Sequence, residues 1–245
     1  MNSQPKPNKE TVVVIPTYNE SFNIAKIILE LAALNLDILV VDDNSPDGTS
    51  EIVENVPTFG KSTFLLKRSG KLGLGSAYRE GFNWAIENQY KYVVEMDADF
   101  SHTISDLIRL LSHKEDYSLI IGSRYVEGGT ILGWSKKRYW LSFLANKYSK
   151  VLTFSPVKDM TSGFRIYRTD ILHSIDFANT KCNGYGFQIE MTVNSLNKKI
   201  TILEVPICFN ERRVGNSKMN IFIILEAITS VLRFSVIRVF NILKN

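Results

Sequence analysis

Apolar residues along this chain alternate between two rhythms. Residues 11–15 form a short β-branched run stopped by Pro16, and residues 23–34 carry apolar positions at helical spacing. Residues 37–41 form a second buried-strand run that ends in Asp42-Asp43. The pattern continues with strand-like 62–66, a helix over 76–89, strand-like 90–96, a helix over 105–111 and strand-like 117–121. Such βαβ alternation predicts an α/β fold, a mainly parallel Rossmann-like sheet flanked by helices. The second half is less regular, with helices expected over 136–152 and 187–198, a strand over 200–205 and a long apolar segment over 219–243. No internal repeat, low-complexity stretch or linker divides the chain. The expected organisation is a polar disordered tail (1–10) without a signal-peptide core, a catalytic domain (11–218) and an apolar helical segment (219–245).

The chemistry collects where predicted strands end. Glu95-Met96-Asp97-Ala98-Asp99-Phe100-Ser101-His102 closes the 90–96 run. A strand interior tolerates no unpaired carboxylate, so the two Asp are expected at the strand end, where ligands gather in open α/β sheets. Two hard oxygen donors one residue apart can hold one Mg²⁺ or Mn²⁺ and leave positions for diphosphate oxygens. An isolated Asp-x-Asp is more often a solvated turn, so its company matters. Asp42-Asp43 follows Val40-Val41 directly and can accept hydrogen bonds from a base or ribose. Ser45-Pro46-Asp47-Gly48 after it reads equally well as turn chemistry, with Thr49 capping the next helix. Gly70 to Gly75 is not a dinucleotide fingerprint, because its third glycine falls at Tyr78 and it does not follow the first strand. Arg68 and Lys71 in that region could still face phosphates.

Charge and composition narrow the partners. A net charge of only +4 gives no general argument for binding polyanions, so no nucleic acid is expected. Cys182 and Cys208 lack metal spacing and suggest a reducing compartment. Residues 134–144 interleave Lys136, Lys137 and Arg138 with Trp134, Trp140 and apolar residues, a composition suited to a membrane interface. The apolar 219–243 segment is long enough to span a bilayer, but Glu226, Arg233 and Arg238 interrupt it. A mid-membrane Arg costs roughly 2.5–3.5 kcal/mol on insertion scales, so a packed or interfacial helix is expected.

Taken in order, these motifs carry a resemblance. Ile15-Pro16-Thr17-Tyr18-Asn19-Glu20, Val41 to Thr49, Arg68 to Gly75 and Met96 to His102 are joined by Gly122-Ser123-Arg124-Tyr125 and Thr161-Ser162-Gly163-Phe164-Arg165. Gly184-Tyr185-Gly186-Phe187-Gln188-Ile189-Glu190 and Val205-Pro206-Ile207, running on to Arg212 and Gly215-Asn216-Ser217-Lys218, complete the set. The chain resembles family 2 inverting glycosyltransferases, and among them the dolichol-phosphate (polyprenol-phosphate) mannose synthases. The resemblance implies a GT-A fold and mannosyl transfer from GDP-mannose to a polyprenyl phosphate. It implies that Pro16, Tyr18, Glu20, Val41 and Asp43 hold the nucleotide, with Asp97, Ala98 and Asp99 against the diphosphate. Asp97, Asp99 and Ser101 would surround Mg²⁺ or Mn²⁺, Arg124 and Arg138 would meet the acceptor phosphate, and Arg212 and Lys218 would close over the donor. His102 could approach the metal, and Glu190 is a candidate to orient Arg165 or reach the acceptor. No general base is required, since a phosphate monoester is already anionic at neutral pH. The lipid acceptor implies a cytoplasmic protein, peripheral on the membrane surface. Competing readings are a UDP-glucose-dependent polyprenyl-phosphate glucosyltransferase, a nucleotidyltransferase and a non-catalytic membrane-associated scaffold. The nucleotidyltransferase would need its glycine-rich loop after the first strand, where Pro16 to Glu20 stand; the scaffold would not need Asp97 and Asp99.

Overall fold

A computed structural model describes residues 10–184, 186–211 and 221–243. In chain order the first half comprises β1 (Thr11–Thr17), α1 (Ile24–Ala33), β2 (Asp37–Asp42), α2 (Thr49–Glu54), β3 (Thr63–Lys67), α3 (Leu74–Glu87), β4 (Tyr92–Glu95), α4 (Ile104–Leu111) and β5 (Leu119–Ser123). There follow β6 (Thr130–Leu132), α5 (Lys136–Leu152), β7 (Arg165–Arg168), α6 (Thr169–Ser174), α7 (Gly186–Asn197), β8 (Ile202–Pro206), β9 (Cys208–Asn210) and α8 (Ile221–Leu243). The main sheet has the order β3-β2-β1-β4-β7-β5-β8, and β6 pairs with β9 beside it.

The expected parallel sheet is present with one exception. Strand β7 runs antiparallel to both neighbours, β4 and β5, so β5 and β8 still point the same way as β1 to β4. All the motif-bearing strand ends therefore share one edge. Alternate residues of each strand feed two cores. Val12, Val14, Leu39 and Val41 pack with Tyr78, Phe82 and Phe187 on one face. Val13, Ile15, Ile38 and Val40 pack with Ile24, Ile28 and Leu107 on the other. Helix α3 lies so close to β1 that a Cβ at Gly81 would stand 2.5 Å from a methyl of Val14, which fixes glycine there.

Several short elements were not legible in the pattern: β6, β7, α6 and β9. Thr49 does not cap α2. Gly48 holds the cap position with φ +83°, while the Thr49 hydroxyl donates to Asp47 and accepts the Glu20 amide. Helix α8 packs on α5 and α7 through buried Val231 and Phe234, and the Tyr148 hydroxyl donates to the Ile228 carbonyl at 3.3 Å. Leu232, Val236 and Phe240 of α8 stay exposed. Among the described residues no helix is long and apolar enough to cross a membrane. Neither Cys182 nor Cys208 forms a disulfide.

Candidate active site

Two loops at the sheet edge are fastened to each other by side chains. The amides of Asn19, Glu20 and Ser21, just past β1, donate to Ser45 Oγ, Thr49 Oγ1 and Asp47 Oδ2, each at 3.0 Å. Asp42 anchors the second loop from below. Fully buried, it accepts Thr17 Oγ1 (2.7 Å), Ser45 N (2.9 Å), Ser45 Oγ (2.6 Å) and Ser50 Oγ (2.8 Å). The Ser-Pro-Asp-Gly-Thr turn thus fastens the loop after β2 to the loop after β1.

Asp43 points the other way. Arg68 Nη1 meets its Oδ1 at 2.7 Å and the Leu72 amide meets Oδ2 at 3.2 Å. Burial raises Asp43 above the ordinary carboxylate range more than Arg68 and the Leu72 amide lower it. Each carboxylate oxygen retains acceptor capacity for a nucleoside donor. Arg68 is therefore a buried partner of Asp43, close also to Glu80 (3.2 Å), rather than a phosphate-facing cation. Lys71 sits 4.7 Å over the Tyr18 ring. Pro16 and Val41 pair in register across β1 and β2, and the Val41 side chain is wholly in the core.

The acidic loop follows β4. Ala98 and Asp99 are buried and Asp97 is half-buried. Asp99 Oδ1 accepts both the amide (3.1 Å) and the hydroxyl of Ser101, with Phe100 at φ +59° bending the chain between them. Asp97, Asp99 and Ser101 offer hard oxygens only, a donor set that fits Mg²⁺ or Mn²⁺. Among the described residues no cluster of three or more His, Cys, Asp or Glu side chains could hold an ion. Two carboxylates and a hydroxyl suit a site shared with diphosphate oxygens.

His102 is buried behind this loop. Its ring stacks on Phe164 (4.5 Å, 8°), and its Nδ1 accepts the Asp97 amide in a long contact of 3.5 Å. Burial pushes the imidazole down to about 4, so it is neutral at pH 7. Its Nδ1 thus faces the Asp97 backbone.

Glu95 stays within the strand that the acidic loop leaves, and it does so with a hydrogen-bond partner. It is fully buried within β4, accepts Gln188 Nε2 at 2.8 Å and faces Arg165 across the strand pair. Burial pushes its carboxyl up to about 8 against the pull of Arg165 and Gln188, so the group is mainly protonated at pH 7. Glu190 does not orient Arg165. It accepts the amides of Lys181 (2.9 Å) and Cys182 (3.0 Å), fixing the loop before α7. Arg165 donates instead to the Ser162 and Met160 carbonyls, Tyr167 Oη and Thr192 Oγ1.

Arg124 leaves the end of β5 and is held in a buried fork by Asp159. Its Nε and Nη2 reach the two carboxylate oxygens at 2.8 and 2.7 Å, and Nη2 also reaches Thr161 Oγ1 at 2.8 Å. Although burial pushes the other way, Arg124 holds Asp159 below the ordinary range. Arg138, in the first turn of α5, reaches Glu211 Oε1 at 3.1 Å and lies 4.2 Å over the Trp134 ring. Arg124 approaches the same ring at 5.7 Å. Trp134 is thus half-buried between the two arginines, whereas Trp140 of the same stretch is 56% exposed. Asp159 gave no signal of its own in the sequence, because it stands alone in an ordinary loop and only the fold brings it to Arg124, whereas Thr161 opens one of the motifs that carry the resemblance. Arg212 and Lys218 lie outside the described residues.

A seven-stranded mixed sheet with acidic strand ends gathered on one edge is the GT-A glycosyltransferase fold. The glucosyl-3-phosphoglycerate synthase of Mycobacterium tuberculosis, solved with Mn²⁺ and UDP-glucose, superposes with a TM-score of 0.68 at 18% identity, over 93% of this chain and 79% of that one. Residues 12–176 match the model of glycosyl transferase family 2, and the chain belongs to that family. It is 41% identical over 235 residues to the polyprenol monophosphomannose synthase of Mycolicibacterium smegmatis, covering 94% of this chain and 89% of that protein. It is 40% identical over 225 residues to the undecaprenyl-phosphate mannosyltransferase of Micrococcus luteus, covering 91% and 93%.

Proposed function

We propose that this protein transfers a mannosyl group from GDP-mannose to the phosphate of a polyprenyl phosphate, inverting the anomeric centre and releasing GDP. The observation that carries the reading is likeness along nearly the whole chain to two proteins named for polyprenyl-phosphate mannosylation. The pairing of Arg124 and Arg138 beside one ring supports it, because a lipid phosphate needs cations to approach an anionic donor.

In this reading the acceptor phosphate is the nucleophile. Its second pKa is near 6, so it needs no side-chain base at neutral pH. Arg124 and Arg138 bind it and aim one oxygen at the anomeric carbon from the face opposite the leaving diphosphate. Pro16, Tyr18, Glu20, Asp43 and the Val41 backbone hold the nucleoside, and Ala98 lines the diphosphate path. Asp97, Asp99 and Ser101 would hold Mg²⁺ or Mn²⁺, which supplies positive charge to the departing diphosphate. Arg212 and Lys218 are assigned to the donor side by resemblance alone.

The protein is read as peripheral on the cytoplasmic face of a membrane. Supporting this, Trp140, Leu141 and Leu144 of α5 are exposed beside Lys136 and Lys137, and exposed Leu232, Val236 and Phe240 lie on the packed neighbour α8. The test is incubation with labelled GDP-mannose or UDP-glucose, an undecaprenyl phosphate acceptor and Mg²⁺ or Mn²⁺, followed by extraction of lipid. Label in the lipid phase from GDP-mannose alone is expected. Preferential transfer from UDP-glucose would move the donor to glucose, and label in neither case would overturn the reading.

A further inference from the structure

Trp134 holds an unusual position between the two arginines. The Arg138 guanidinium lies 4.2 Å from the ring centroid and Arg124 lies 5.7 Å away, while Phe209 packs edge-on at 5.4 Å. Its indole Nε1 is buried, yet has no acceptor among the described residues. Buried indole N–H groups usually find a partner, so an unused donor flanked by two cations marks a place for an anion.

Resting on the acceptor reading above, we propose that Trp134 is a third acceptor-phosphate residue: its ring positions Arg138 beside Arg124, and its N–H donates to the lipid phosphate. The geometry accounts for both parts. Arg138 is a partly exposed side chain with several rotatable bonds, and Arg124 is already locked by Asp159. Stacking on an indole restricts the Arg138 guanidinium at the cost of no opposing charge, unlike its contact with Glu211, which an arriving phosphate must replace. An indole adds a neutral donor that a phosphate oxygen can accept without further desolvating a charge.

The test compares Trp134→Phe, Trp134→Leu and Arg138→Ala in the full-length protein, with undecaprenyl phosphate in detergent as acceptor. Trp134→Phe keeps a ring for Arg138 and loses the N–H, and is expected to raise the acceptor KM roughly tenfold. Trp134→Leu loses both and is expected to raise it on the order of a hundredfold. GDP-mannose affinity by calorimetry and kcat at saturating acceptor should stay within about threefold of the parent, which a merely structural role would not preserve. Arg138→Ala should raise the same KM, and its combination with Trp134→Leu should be less than additive. If Arg138→Ala raises the acceptor KM but both tryptophan variants leave it unchanged, the role of Trp134 is wrong while the acceptor reading stands. If Arg138→Ala also leaves it unchanged, the acceptor assignment falls and this inference with it. Loss of donor affinity equal to the loss of acceptor affinity in Trp134→Phe overturns the inference as well.

Discussion

Glu95 on β4 stands directly opposite Arg165 on β7, and both side chains are fully buried two residues behind the acidic loop. Arg165 donates to four neutral acceptors, while Glu95 takes one hydrogen bond from Gln188 and its Oε1 has no partner among the described residues. The pair therefore reads as a charged guanidinium against a mainly neutral acid, not as a closed ion pair. Removing either group from water is expensive, and protonation of Glu95 relieves half of that penalty.

A pH dependence follows from the raised carboxyl. Glu95 binds its proton up to about pH 8 in the folded chain but only to its ordinary value, near 4.5, when unfolded. Between those values the folded state carries more protons, so this group's contribution to stability declines as pH rises from about 4.5 to about 8. Glu95→Gln, a permanent mimic of the neutral acid, should flatten that slope and be the more stable form at pH 8.5 by an amount on the order of 1–3 kcal/mol. Thermal midpoints of the two proteins at pH 6 and pH 8.5 check it; parallel curves would refute it.

Asp99 is expected to be indispensable to turnover and dispensable for folding. Asp99→Ala should abolish transfer and the metal-dependent part of nucleotide binding, while the melting temperature moves by only a few degrees. Calorimetric titration of GDP with and without Mn²⁺ reads the metal-dependent part directly. A variant that transfers sugar at the parent rate, or a parent enzyme fully active in excess EDTA, would remove the metal from Asp97, Asp99 and Ser101.

The two acceptor arginines should separate in stability. Arg124→Ala leaves Asp159 buried and unpaired, and breaking such a pair costs about 3–5 kcal/mol. Arg138→Ala removes a partly exposed contact to Glu211 and should cost less than about 1 kcal/mol. Both should weaken use of the lipid phosphate more than binding of GDP-mannose. Urea unfolding beside acceptor kinetics distinguishes the two; equal stabilities would mean that the Arg124–Asp159 fork is not maintained in solution.

Membrane attachment is best probed without truncation, because Val231 and Phe234 of α8 are part of the core. Replacing exposed Trp140, Leu144 and Phe240 together by Ser should reduce co-sedimentation with anionic vesicles at least severalfold while leaving the melting temperature unchanged. Activity on a short soluble acceptor should survive, and activity on a long-chain acceptor in vesicles should fall. Undiminished binding of the triple variant to vesicles would relocate the membrane-facing surface.

How much of this was legible depended on range. The βαβ rhythm of residues 11–121 set the elements and the order in which the strand ends follow, because periodicity is a local property of the chain. Asp42, Asp43, Asp97 and Asp99 announced themselves for the same reason: each follows an apolar run closely, where a strand reaches the edge of the sheet. The four-residue strand Arg165–Arg168 carried no such mark, since its place and its antiparallel direction come only from pairing with β4 and β5. Tertiary structure also divided residues that look alike in sequence. Asp42 became a buried anchor of its loop and Asp43 the partner of Arg68, because neighbouring side chains of an extended chain point to opposite faces. Trp134 and Trp140 share one basic, aromatic stretch, yet Trp134 lies among arginines and Trp140 faces outward, since the first precedes α5 and meets β9 while the second lies on an exposed face of the helix. Partners far apart in the chain, such as Arg124 with Asp159 and Glu95 with Gln188, were decided by packing alone, because no local rule reports which buried charge will meet which acceptor.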